Sequence, residues 1–196
     1  NNYWGAQEIF RLGENHLDGA IPQVQTIENI ETRLGFTGQR VAWCPLKHKN
    51  PHHPLIMEES VIPESLKYAI KNFVISRIIK DERLKRKSFH TMLINVSIFA
   101  THVHIVRQVN NYVAELVNAV RFGDTLLYDD FRKIFNEFKK TQKEFKHMLI
   151  NSEKMSKEKS DKSYPEICTW EHIEKELRSE IENLEVKQIS GAYNEE

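Results

Sequence analysis

From residue 63 onward the apolar positions of this chain repeat at helical spacing; before it they do not. Leu66, Ala69, Ile70, Phe73, Val74 and Ile78 fall mostly three and four apart behind Pro63 and Glu64, a proline and an acid suited to a first turn. They predict a helix over 63–84. Its far end carries Arg83, followed by Lys85, Arg86 and Lys87, where cations complement the helix dipole. A second amphipathic helix, 101–122, is marked by Val106, Val109, Val113, Leu116, Val117 and Val120 and stopped by Gly123. A third, 128–150, opens on Asp129 and Asp130 and carries the stripe Phe131, Ile134, Phe135, Phe138, Phe145, Met148 and Leu149. Thr169 is suited to N-cap a fourth, with Trp170, Ile173, Leu177, Ile181 and Leu184 on one face.

Two apolar stretches are too short for helices. MLINVSIF, residues 92–99, reads as a buried strand over 92–98, and residues 186–190, ahead of Gly191, read as a second one. A strand that feeds an amphipathic helix is half of a βαβ unit, so the two are expected side by side and parallel. Residues 151–163 mix Lys, Ser and Glu without period and read as a loop or a frayed helix end. The first 60 residues are broken by Gly and Pro into loops, short turns and one strand around 40–43. The expected fold class is mainly α with a small β component (α/β), amphipathic helices surrounding a short parallel strand pair. Four regions follow: 1–60 irregular, 61–122 a helix-strand-helix core, 123–185 helical, and 186–196 a strand and turn.

The chain has 196 residues, 40% of them hydrophobic and 29% charged, enough for one ordinary core and unlike a disordered segment. No apolar run approaches membrane-spanning length, so no membrane partner is expected. Cys44 and Cys168 are far apart and belong to no CxxC pair, which argues for reduced thiols and a cytoplasmic protein. The start at Asn1 and the acidic last residues suit a piece of a longer polypeptide. A net charge of zero hides a segregation: residues 65–107 hold nine Lys or Arg against Asp81 and Glu82, while residues 166–196 hold three basic against nine acidic. Such blocks steer an anionic partner to one face, although a solvated helix surface is the commoner explanation.

The strong catalytic signatures are absent: no GxxxxGK[ST], HExxH, GxSxG or EF-hand loop occurs. No cofactor, metal or catalytic residue is therefore assigned within the chain. His48, His52 and His53 lack a recognisable tetrahedral ligand set and read as a solvated loop, and His102 and His104 lie two apart on a helix, on different faces. Glu185, Val186 and Lys187 form an ExK triplet on the second expected strand, a pattern that arises easily by chance in a Lys- and Glu-rich chain. The densest positive cluster is Arg77, Lys80, Arg83, Lys85, Arg86 and Lys87. It is suited to sequence-independent phosphate contacts, or else is a solvated helix end.

Pro63 to Leu66, Ser76 and Arg77, then His90, Met92, Leu93, Val96 and Ser97 leading to Gln108 and Asn110, resemble the endonuclease-labelled family of the Z-one domain, written as Z and the numeral one. That family shows a proline-led helix, a small-residue and arginine stretch, and a His-x-Met-Leu-x-x-Val-Ser strand before a Gln/Asn-rich helix. The strong match covers about a third of the chain, with His102 and His104 and the Lys-rich stretch after residue 150 departing from the pattern. The resemblance implies a superfamily-two helicase-like parent in bacterial restriction or phage defence. It also implies that the strand pair opens a RecA-like second lobe, with residues 123–185 inserted. ATP and Mg would serve the parent, a hydrolase, and not this piece, which is expected to be inactive alone.

The leading expectation is a nucleic-acid-binding or remodelling module with DNA as partner. Its alternative is an interaction scaffold that docks other defence-system proteins. The expected nucleic-acid surface is Arg77, Arg83, Lys85, Arg86 and Lys87 with Ser97 and Thr101, the last two supplying hydroxyls near a helix N-terminus.

Overall fold

The computed structural model describes residues 33–34, 40–41, 62–94, 102–151 and 167–188, with positions 156, 157, 159 and 161 between the last two. Four helices dominate them: α1 (Glu64–Leu84), α2 (His102–Phe122), α3 (Thr125–Asn151) and α4 (Trp170–Glu182). In the N-terminal region β1 (Arg33–Leu34) pairs antiparallel with β2 (Arg40–Val41), Arg33 opposite Val41, and β2 coincides with the first two residues of the strand expected around 40–43, whose other two lie outside the described residues.

Helix α1 begins where its proline dictates. Pro63 has extended backbone, and its carbonyl accepts from Leu66 N and Lys67 N at 2.9 and 3.1 Å. It ends in a left-handed turn at Lys85, φ 51°, where Lys85 N bonds Glu82 O and Arg86 N bonds Asp81 O, the Schellman arrangement. The same device ends α2 with a residue better suited to it. Gly123 has φ 68°, Asp124 N reaches Ala119 O at 2.9 Å, and Asp124 Oδ1 accepts from Leu126 N to start α3. At the head of α4 the Thr169 hydroxyl accepts from His172 N, as its position in the sequence predicts.

The shortest of the four helices is the hub. Helix α4 packs against α1, α2 and α3, and its Ile173, Leu177 and Ile181 are wholly excluded from solvent. Around them lie Ile75 and Ile78 of α1, Val109, Leu116 and Val120 of α2, and Phe131 and Phe135 of α3 in one apolar cluster. Each fully buried side chain of this kind stabilises by roughly 1.5–3 kcal/mol. Trp170 closes the α3 side, its ring 5.9 Å from Phe135 and its face 5.1 Å from the Arg132 guanidinium.

The expected parallel strand pair does not form, and the fold is mainly α rather than α/β. Residues 91–94 and 184–188 have no regular secondary structure, and no backbone hydrogen bond joins the two among the described residues; positions 95–98 and 189 lie outside them. The physical reason lies in what the apolar side chains touch. Met92, Ile94, Leu184 and Val186 are half-buried against the helical core, which uses their hydrophobicity without any strand partner, while Leu93 is 77% exposed. With no ladder between these two stretches among the described residues, the RecA-like opening expected from the resemblance is not seen there either. Among the described residues no helix is long and apolar enough to cross a membrane.

Candidate nucleic-acid interface

The turn after α1 is built around one carboxylate. Asp81, three residues before the end of the helix, is 7% exposed, and its Oδ1 accepts from Ser88 N at 3.1 Å and from the Ser88 hydroxyl at 2.7 Å. His90 Nε2 lies 3.0 Å from the same oxygen and 2.9 Å from Ser88 Oγ. Burial works to raise the Asp81 carboxyl, but the bonds from His90 and Ser88 outweigh it, so it sits below the ordinary aspartate range. The three residue types are those of a hydrolytic triad; the geometry is not. One imidazole nitrogen faces both the hydroxyl and the carboxylate, and the hydroxyl already donates to Asp81, so no relay runs from carboxylate through ring to nucleophile. The cluster is a clasp that fixes residues 85–90 against the helix.

Across from this turn, acids of α4 absorb some of the positive block. Arg77 lies 3.0 Å from Glu180, whose side chain is 5% exposed, and its guanidinium stacks 5.5 Å from the Phe73 ring. Lys87 reaches Glu180 at 2.5 Å and Glu176 at 3.1 Å, and the Glu180 bond, the larger influence, holds its ammonium above the ordinary lysine value. His172 faces Glu82, and Arg121 of α2 binds Glu182 at 2.9 Å. Much of the charge segregation in the sequence therefore closes on itself, as the facing walls of one internal seam.

The seven expected surface residues separate into three groups. Arg77 and Lys87 belong to the seam. Arg83 and Arg86 are exposed and make no ion pair among the described residues; Lys80, one helical turn from Arg83, is in the same state. Lys85, the cap residue of α1, is also exposed and among the described residues pairs only with Glu82 of that helix. Ser97 and Thr101 lie outside the described residues, as does the His48, His52 and His53 segment. His102 and His104 stand in the first turn of α2, with side chains outside the described set.

Glu185 and Lys187 bind each other on the surface at 2.8 Å, and among the described residues no group of three His, Cys, Asp or Glu is placed to hold a metal ion. Burial pushes the Cys168 thiol up, away from the thiolate a nucleophile needs. The clasp of Asp81, Ser88 and His90, with fully exposed Phe89 inside it, is not anticipated by the sequence motifs. A signal is nonetheless there in the alternation Ser88, Phe89, His90, which puts the polar pair on one side of an extended segment and the ring on the other.

Beside the clasp runs a groove of about 770 Å³ between α1, α2 and the irregular stretches 87–94 and 183–188. Its floor includes Ile70, Phe73, Ile105 and Val109, and Phe89 and Leu93 stand along it.

A family model described as the Z1 domain matches residues 65–196. No curated protein and no solved structure matches the chain.

Proposed function

The chain belongs to the Z1 domain family, and on that premise we propose that it is a DNA-binding module of a larger helicase-like protein that acts in the bacterial cytoplasm in restriction or phage defence. In this reading the chain grips the nucleic-acid backbone. Nucleotide hydrolysis with ATP and Mg, and any strand cleavage, belong to other regions of such a protein.

The observation that carries the reading is the state of Lys80, Arg83 and Arg86. Their neighbours Arg77 and Lys87 are neutralised by Glu180, whereas these three stand exposed and make no ion pair among the described residues, so phosphate contact displaces no such partner. Lys85 adds a fourth charge, because its pair with Glu82 is solvent-exposed and screened and is readily exchanged for a phosphate.

The test is binding of fluorescently labelled DNA to the chain at low salt, with Arg83→Glu and Arg86→Glu combined as the variant. The reversal is expected to weaken binding at least about tenfold while leaving the unfolding transition in place, since neither side chain supports the core. Undiminished affinity would refute the proposal and favour the scaffold reading, in which the chain docks other defence proteins.

A further inference from the structure

Phe89 is the most exposed large apolar side chain of the described residues, and it is held in that state. Ser88 on one side and His90 on the other both turn inward to the buried Asp81 oxygen, so the ring between them faces solvent. Lys85 and Arg86 precede it on the same short turn, and Arg83 sits one helical turn back. The turn is fixed at its start by the backbone bonds of Lys85 and Arg86 to α1, and at its end by the clasp.

Covering a fully solvated phenyl ring removes apolar area from water and so favours a partner that can do it, and the charges around the ring limit what that partner can be. An acidic or apolar protein segment would match either the cations or the ring. A nucleic-acid strand matches both, with phosphates on the cations and a base on the ring. Duplex bases are stacked on each other and present only edges, so a ring lying beside basic residues is usable only where the bases are unpaired.

We infer that the turn 83–89 is a binding site for single-stranded nucleic acid, in which Arg83, Lys85 and Arg86 contact successive phosphates and Phe89 stacks on one unpaired base. The groove beside Phe89 leaves room for the base on the ring's inner side. The clasp on Asp81 positions the ring before the strand arrives, so little ordering cost falls on binding. This inference rests on the backbone-binding function proposed above and names the strand state that site selects.

The experiment compares the chain with Phe89→Ala, Phe89→Leu and Phe89→Trp against a labelled single strand and a duplex of the same length and sequence. The expected result is about a tenfold loss of single-strand affinity for Ala and for Leu, retention for Trp, and less than about a twofold change on duplex. Thermal midpoints should not fall in any of the three, because the side chain is fully exposed. Unchanged single-strand affinity in Phe89→Ala, or equal losses on both substrates, overturns the inference while the Arg83 and Arg86 reversal still weakens binding. If that reversal has no effect on either substrate, the function proposed above fails as well.

Discussion

Glu180 near the end of α4 lies 3.0 Å from Arg77 in the middle of α1, with 5% of the glutamate and 17% of the arginine side chain exposed. Among the described residues Arg77 Nε and Glu180 Oε2 are both buried without a hydrogen bond, so the pair is an ion contact through one guanidinium nitrogen and not a bidentate bridge, and Lys87 shares the carboxylate through its other oxygen. Removing Glu180 leaves a nearly buried cation uncompensated. Glu180→Ala is expected to lower unfolding stability by about 3 kcal/mol in urea, whereas Arg77→Met with Glu180→Leu recovers most of that loss, because an apolar pair needs no desolvated charge. Equal instability in the single and double variants would mean that the seam contributes through shape and not charge.

Asp81 makes stability depend on pH in a stated direction. Its folded pKa is depressed below the unfolded value, so its contribution is present above the ordinary aspartate pKa of about 4 and is lost as pH falls through the folded value. Asp81→Asn should cost about 2 kcal/mol at pH 7, where the bonds to Ser88 and His90 involve a charged acceptor. The gap between the chain and the variant should narrow progressively below about pH 4. Comparing the two isolates Asp81 from the other carboxylates that titrate there; a gap independent of pH would show that the anion is not what the clasp holds.

Lys85 adopts φ 51° with a side chain that disfavours it. Lys85→Gly should raise stability by roughly 0.5–1 kcal/mol in thermal or urea unfolding, against the loss of its surface pair with Glu82. The same change removes one phosphate-binding charge, so the variant should be more stable and bind DNA less tightly. A destabilised variant would place the value of Lys85 in its side chain.

The helices are legible in the sequence because each is fixed by signals close along the chain: Pro63 at the start of α1, Gly123 between α2 and α3, Thr169 ahead of α4, and apolar stripes between them. The strands mislead because residues 92–94 and 186 have the hydrophobicity of a buried strand, and hydrophobicity does not say whether a backbone partner exists. Here Met92 and Val186 bury against helices instead. The basic cluster is legible as composition but not as a site. Which of its members are paired among the described residues depends on Glu176 and Glu180, far along the chain, and the packing of α4 on α1 brings them to Arg77 and Lys87. The clasp is hidden by a turn with Lys85 where glycine would have announced it.

Salt dependence of DNA binding tests the phosphate-gripping surface most directly. The measurement is the slope of log K against log salt for the chain and for Arg83→Gln with Arg86→Gln, on a single strand. The expected result is a steep negative slope for the chain that becomes shallower by about 0.7 for each phosphate that loses its cation, about 1.4 for the pair. An identical slope in the two proteins, or an affinity of the chain that does not respond to salt, would contradict the assignment of Arg83 and Arg86 to the nucleic-acid backbone.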